Sequence, residues 1–213
     1  MTETNNIYKY ENDLINNGVK YIAGVDEAGR GPLAGDLVVA SVILPTDFKI
    51  EGIDDSKSIS DKKRRETFEL IKKHAISYSI IFITTDEIDE YNIYKATQIG
   101  MKRAIDNLDV IPGHVLIDAM PLPEVSIPNT SIIKGDKLSA SIGAASILAK
   151  VTRDDYMEAM SKKYPNYHFD KHKGYGTKLH MESLEKYGPC DIHRKSYKPV
   201  KKYLPSAQMK LEI

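Results

Sequence analysis

The stretch YIAGVDEAGRGPLAGD (residues 21–36) carries an apolar run straight into two adjacent carboxylates, Asp26 and Glu27. A glycine-bracketed arginine, Gly29-Arg30-Gly31, follows at once. YIAGV (21–25) reads as a short buried strand, and the glycine-rich turn after it leads into LVVASVIL (37–44), a β-branched strand closed by Pro45. Two glycines around Arg30 let the backbone take positive φ and approach a ligand closely. Amides exposed there suit a ribose hydroxyl or a phosphate, with Arg30 adding a charged fork. A plain turn between two strands is the alternative. The chain has no G-x-x-x-x-G-K-[ST] pattern, which excludes a nucleotide P-loop.

Outward from this stretch, SYSIIFIT (77–84), HVLIDAM (114–120) and SIIKGD (131–136) read as three more strands. Helical spacing appears in SDKKRRETFELIKKHA (60–75), in NIYKATQIGMKRAIDNL (92–108) and in the long run from Lys137 to Tyr164. That last segment is rich in Ser, Ala and Gly between Ser139 and Ser146, which would let a helix lie very close to a sheet. TKLHMESLEKYG (177–188) is a shorter helix. Strands followed by helices predict an α/β domain with a central mixed sheet.

At 213 residues the chain is long enough for one domain with a sizeable core. Its formal net charge is zero, which argues against nucleic-acid affinity from bulk charge alone. The distribution is uneven. Residues 150–213 carry 14 Lys and Arg against 8 Asp and Glu, with four of the six histidines, while residues 1–149 carry 16 against 22. Such a chain suits a cation at one place and a polyanion nearby, although chance scatter of surface charge gives the same count. The single cysteine, Cys190, excludes an internal disulfide. The polar N-terminus lacks the apolar core of a signal peptide, and no stretch approaches the ~20 apolar residues of a membrane span. A soluble, monomeric, cytoplasmic protein is expected.

Three segments share one pattern, a short apolar strand terminating in Asp: IAGVDE, VLIDAM and IIKGD. In an open α/β sheet strand ends converge on the crevice where ligands bind, so Asp26, Asp118 and Asp136 are expected within a few ångströms of one another, with Glu27 beside them. At 4 Å and an effective dielectric near 20, each like-charged pair costs roughly 4 kcal/mol. Protonation or divalent cations must relieve that repulsion. An all-oxygen set without His or Cys favours Mg²⁺ or Mn²⁺. Carboxylates clamping two such ions are the usual machinery of phosphodiester cleavage, one ion activating water and the other stabilising the leaving oxygen. Individually, strand-end aspartates also cap helices and make turns.

HFDKHKGYGT (168–177) interleaves aromatics, histidines, lysines and glycines. Its lysines suit phosphates, and Tyr175 between two glycines suits stacking on a sugar or base. A transition-metal site at His168, Asp170 and His172 is the competing reading, without a further Cys or His partner at suitable spacing.

The motifs GVDEAGRGPLAGD, DDSKSIS, LIDAM, IIKGDKLSASIGAASILAKVTRD, HKGYGT and YGPCDIHRKSY, in this order from about Tyr21 to Pro199, resemble the bacterial ribonuclease HII family. The resemblance implies a ribonuclease H-like fold, a mixed five-stranded sheet flanked by helices with a helical C-terminal extension. That corresponds to a single catalytic domain over 1–213, with a core at about 20–160 and a basic extension at about 161–213. It implies Mg²⁺- or Mn²⁺-assisted hydrolysis of RNA in RNA–DNA hybrids and incision at ribonucleotides embedded in duplex DNA, giving a 3′-hydroxyl and a 5′-phosphate. The family's acidic quartet falls on Asp26, Glu27, Asp118 and Asp136. Its Gly-Arg-Gly falls on Gly29, Arg30 and Gly31, and its substrate-sensing tyrosine on Tyr175. The backbone at Gly29–Gly31 would read the ribose 2′-hydroxyl, the group that separates RNA from DNA. Asp55-Ser56-Lys57 and Lys150 with Arg153 match further motifs, as phosphate contacts or structural support. Two departures stand out: Asp36 replaces the family's usual Pro, and Ser58-Ile59 replaces Lys or Gln followed by Leu. A junction resolvase, a 3′–5′ exonuclease or a non-catalytic hybrid-binding protein are the rival readings. The first two would share the acidic cluster without the 2′-hydroxyl reader.

Overall fold

The apolar runs and the amphipathic ones sort into a five-stranded sheet with helices on both faces in the computed structural model, which describes residues 7–49, 53 and 59–204. In chain order the elements are α1 (Lys9–Asn16), β1 (Ile22–Ala28), β2 (Leu37–Ile43), α2 (Asp61–His74), β3 (Ser77–Ile83), α3 (Thr85–Asp106), β4 (His114–Asp118), β5 (Asn129–Ile132), α4 (Ala140–Lys163), α5 (Phe169–His172), α6 (Lys178–Tyr187) and α7 (Lys198–Lys201). The strand order is β3-β2-β1-β4-β5. β1, β2 and β3 form an antiparallel meander, while β4 and β5 continue the sheet in parallel on the other side of β1. The sheet is therefore mixed, with β1 at its centre.

Side chains alternate across a strand, and β2 feeds two cores. Leu37, Val39 and Ile43 pack with Ala96, Met101 and Ala104 of α3 on one face. Val38, Ala40 and Val42 pack with Ile71 of α2 and with Ala144, Ala145 and Leu148 of α4 on the other. The small residues of α4 let it lie on the sheet backbone. A Cβ at Gly24 of β1 would fall 2.0 Å from the Ser141 carbonyl carbon. No side chain fits between β1 and α4 at that point.

Three elements differ from the sequence reading. Helix α1 lies in the segment read only as a polar N-terminus. Its buried Glu11 accepts from the Ser139 hydroxyl (2.6 Å) and the Ser141 amide (2.9 Å), so a carboxylate caps the positive end of α4. Helix α3 begins at Thr85, seven residues before the expected start. A capping box joins Thr84 and Glu87 there, and the chain breaks at Asn92 (φ 65°), whose Oδ1 accepts from the amides of Tyr94 and Lys95 and restarts the helix. The expected helix start is this internal cap. Strand β5 ends at Ile132, not at Asp136. Lys134 turns left-handed (φ 59°) and Asp136 sits in a 3-10 turn, Gly135–Lys137. Among the described residues no helix is long and apolar enough to cross a membrane. Asp55-Ser56-Lys57 and Ser58 lie outside the described residues.

Candidate active site

Parallel pairing of β1 with β4 matches Val25 to Ile117. One residue further along each strand come Asp26 and Asp118, neighbours on the face covered by α4. The Ser146 side chain on α4 hydrogen-bonds Asp26, whose Oδ1 also accepts from the Glu27 amide at 2.7 Å. Asp118 Oδ1 accepts from the Gly135 amide at 2.7 Å, which ties the turn bearing Asp136 to the end of β4. Asp26, Glu27 and Asp118 line one cavity of about 360 Å³ together with Gly29, Arg30, Gly31 and Tyr175. Asp136 is buried beside this group, on the turn behind Asp118, and does not line the cavity. Three of the four expected carboxylates thus share one space, and the fourth is held one residue from a hydrogen bond to it.

Burial first, then Glu27 and Asp118, hold the Asp26 carboxyl well above the usual carboxylate range. Burial pushes Glu27 up to about 6; Arg30, 3.5 Å from its Oε1, pulls the other way, and Asp118 adds to the rise. Glu27 Oε2 is buried without a hydrogen-bond partner. Oxygen-only donors, crowded carboxyls and an unsatisfied buried oxygen all fit a hard divalent cation. Among the described residues no three His, Cys, Asp or Glu are drawn close enough to hold a metal as they stand.

The loop at Gly29–Gly31 is aimed from behind. Arg194 is fully buried and donates to the carbonyls of Gly29 (2.6 Å) and Arg30 (2.9 Å), and twice to Gly35 (3.1 and 2.8 Å). All peptides of the described chain are trans, so each N–H points opposite its C=O. With the Gly29 and Arg30 carbonyls turned onto Arg194, the amides of Arg30 and Gly31 face away from it. Gly29 has φ +106°, and a Cβ there would lie 2.1 Å from Arg153 Nε, so both conformation and space demand glycine. Gly31 has no positive φ, contrary to expectation. It instead lies against the Tyr175 ring, where an added Cβ would make a 3.4 Å contact.

Other expected residues land differently. Arg153 is 2 % exposed and donates to the carbonyls of Ala34, Asp36 and Lys173, which braces the loops around the site, and it also lines the cavity. Lys150 lines the cavity and pairs with Asp154, and Arg64 lines the same wall. His172 uses both ring nitrogens on backbone groups and Asp170 pairs with Ser161 and Lys171, so His168, Asp170 and His172 form no metal site. Asp36, which stands where the family usually has Pro, accepts from the Tyr156 side chain and the Thr85 amide, and its charge opposes those of Arg153 and Arg194. Arg194 and Ser146 were missed because nothing local separates a buried arginine in a basic coda, or one serine among many, from its neighbours.

The family model for ribonuclease HII matches residues 23–200. The chain is 54% identical over 193 residues to a ribonuclease HII of Bacillus mycoides, covering 91% of this chain and 75% of that one. It is 50% identical over 197 residues to a ribonuclease HII of Caldicellulosiruptor bescii, covering 92% and 96%. Among solved structures, the ribonuclease H2 of Pyrococcus horikoshii superposes with a TM-score of 0.74 at 26% identity, covering 86% of this chain and 97% of that one. The Archaeoglobus fulgidus ribonuclease HII, solved as a complex with PCNA, gives the same score and identity over 84% and 96%. A ribonuclease HIII solved with Mn²⁺ shares the fold alone, with a TM-score of 0.65 at 15% identity over 86% and 68%. By family model, by sequence and by fold, this chain belongs to the ribonuclease HII family, nucleases that act on RNA–DNA hybrids.

Proposed function

We propose that the protein incises duplex DNA on the 5′ side of embedded ribonucleotides, as well as the RNA strand of hybrids, leaving a 3′-hydroxyl and a 5′-phosphate. The observation that carries this reading is one cavity shared by buried carboxylates and by a backbone loop whose Arg30 and Gly31 amides are turned away from Arg194. Asp26, Glu27, Asp118 and Asp136 would hold one or two Mg²⁺ or Mn²⁺ ions. Such a cation, when bound, acidifies the attacking water and offsets the charge growing on the leaving oxygen. In-line attack on the phosphorus 5′ to the ribonucleotide breaks its bond to the 3′-oxygen of the preceding nucleotide.

The chain's own residues supply binding and choice. The Arg30 and Gly31 amides donate to the ribose 2′-hydroxyl, which a deoxyribose lacks. The Tyr175 ring, 48 % exposed beside Gly31, stacks on the sugar that follows. Arg64 and Lys150 on the cavity wall meet the phosphates. The short helices α5 to α7 extend the same single catalytic unit along the duplex, and the protein acts as a monomer.

The test is cleavage of three labelled substrates with Mg²⁺ or Mn²⁺: a duplex with one ribonucleotide, an RNA–DNA hybrid and an all-DNA duplex. Incision 5′ to the single ribonucleotide and none of the all-DNA duplex is expected. Asp26→Asn should reduce kcat by more than ~100-fold, beyond the cost of losing a supporting residue, with hybrid binding retained. Equal cleavage of the all-DNA duplex would instead place the activity with the rival nucleases that lack a 2′-hydroxyl reader.

A further inference from the structure

Three histidines of the C-terminal third are buried away from the cavity, and their hydrogen bonds run to its edge. His180 Nδ1 lies 2.9 Å from the carbonyl oxygen of Tyr175, and His180 Nε2 lies 3.0 Å from His193 Nε2. His193 Nδ1 lies 2.9 Å from the Cys190 amide nitrogen, nearer than the Cys190 Sγ (3.2 Å) or carbonyl oxygen (3.3 Å). A carbonyl only accepts, so His180 carries its proton on Nδ1. In a neutral ring the His180 Nε2 is then a lone pair, and His193 must donate to it from its own Nε2. That leaves His193 Nδ1 as an acceptor, which is what the Cys190 N–H requires. The opposite tautomer of either ring would set a lone pair against a lone pair, or a proton against a proton. His172 obeys the same logic, accepting from the Gly174 amide at Nδ1 and donating from Nε2 to the Tyr167 carbonyl. Its ring stacks on His180, with centroids 4.5 Å apart.

The relay therefore has a direction, from the Cys190 amide through His193 and His180 to the Tyr175 carbonyl. At that end the loop is held on every side. The Tyr175 amide donates to the His172 carbonyl, the Thr177 amide donates to the Tyr175 carbonyl, and the Leu33 amide donates to the Gly174 carbonyl. The last of these bonds joins the tyrosine loop to the strand connection that bears Gly29–Gly31. The rings themselves sit in an apolar shell of Tyr167 and Phe169. We propose that His180 is a positioning residue: its Nδ1 proton, fixed by His193, holds the Tyr175 backbone so that the ring stands at the cavity's edge. This inference rests on the role given to Tyr175 above.

Two substitutions separate the two nitrogens. In His180→Asn the side-chain amide sits where Nδ1 does and still donates to the Tyr175 carbonyl, while the link to His193 is lost. In His180→Gln the side-chain oxygen sits near Nε2 and still accepts from His193, while the bond to Tyr175 is lost. The readout is the ratio of kcat/KM for a single-ribonucleotide duplex to that for a uniform hybrid. His180→Asn should keep this ratio close to that of the unaltered protein, and His180→Gln should lower it about tenfold, the cost of one hydrogen bond to a positioned group. Tyr175→Ala is the reference. If Tyr175→Ala shifts the ratio and the two His180 variants do not differ, the relay is overturned while the reading of Tyr175 stands. If Tyr175→Ala leaves the ratio unchanged, that reading fails, and amide exchange at 174–177 decides the relay: it should be faster in His180→Gln than in His180→Asn, and equal exchange would overturn it. Should either variant not fold, ¹⁵N shifts of the unaltered protein carry the test, with the Nδ1–H form expected at His180 and the Nε2–H form at His193. The reverse assignment would refute it.

Discussion

Arg194 brings a guanidinium into the core and spends its donors on backbone carbonyls, with the Tyr197 hydroxyl beside it. Burial pulls its pKa below the usual arginine value, so the site tolerates the charge only because each donor has an acceptor. Lysine has the charge without the planar fork and brings three donors where Arg194 makes five contacts, so some of these acceptors are left unmet. Arg194→Lys should therefore cost about 2–4 kcal/mol in urea unfolding. It should also lower single-ribonucleotide cleavage about tenfold or more, because the Arg30 and Gly31 amides lose their fixed direction. Unchanged cleavage by a folded Arg194→Lys protein would remove Arg194 from the substrate-reading loop. Asp36 works on the same pair of arginines from outside the cavity. Asp36→Ala should cost about 1–2 kcal/mol, from the loss of its bonds to Tyr156 and Thr85, with little change in kcat.

Helix α4 does two things for the site: it covers the β1–β4 face, with Ile142 against Ile22 and Leu116, and it carries Ser146 to Asp26. Both depend on the direct contact at Gly24. Gly24→Ala should drive α4 off the sheet and cost about 3 kcal/mol or more, read as a drop in melting temperature, and should reduce cleavage as Ser146 leaves Asp26. The run of small residues in α4 was legible in the sequence, and so was its consequence, close packing on a sheet. The start of α3 was equally open to reading, since Thr84 and Glu87 have capping-box spacing, but the apolar period resumes only after Asn92 and drew the boundary there. The sequence pattern carries β5 past Ile132 because IIKGD, like the other two segments, runs from apolar residues to a terminal Asp. What stops it is a left-handed Lys134 and the capture of the Gly135 amide by Asp118, 17 residues earlier in the chain.

At the scale of the whole molecule, the C-terminal third folds back onto the 29–36 connection: Ala34 packs with Met157, Tyr167 and Phe169, and Leu33 with Leu184 and Val200. Its stability is tied to pH through the histidine relay. Burial lowers both His180 and His193 to about 4, below the ordinary histidine value. As pH falls below about 6.5 the unfolded chain takes up protons that the folded chain refuses. The histidines' share of the stability should thus be full above that pH and decline progressively toward pH 4, partly offset by Asp26 and Glu27, whose raised folded-state values make them favour the folded chain as pH falls. The urea midpoint at pH 5 should fall below that at pH 7, and the difference should shrink in His180→Asn. The basic surplus of residues 150–213 should appear as a salt-dependent hybrid affinity, with log K falling linearly against log salt. A flat salt response would mean that the surplus does not track the backbone. Residue types and short-range spacing were enough to locate the five strands, the close-packing helix, the carboxylates and the glycine-bracketed arginine, though not the bounds of β5. Three outcomes came from folding: Asp136 sits on a turn behind Asp118, Arg194 aims the Gly29–Gly31 loop, and two histidines lock each other's tautomers beneath Tyr175. The first two depend on hydrogen bonds between residues far apart in the chain, Gly135 to Asp118 and Arg194 to the 29–35 carbonyls, which meet only once the sheet has formed and the C-terminal third has folded back onto it. The third joins residues near in sequence but depends on which ring nitrogen faces which neighbour, which residue type alone does not set.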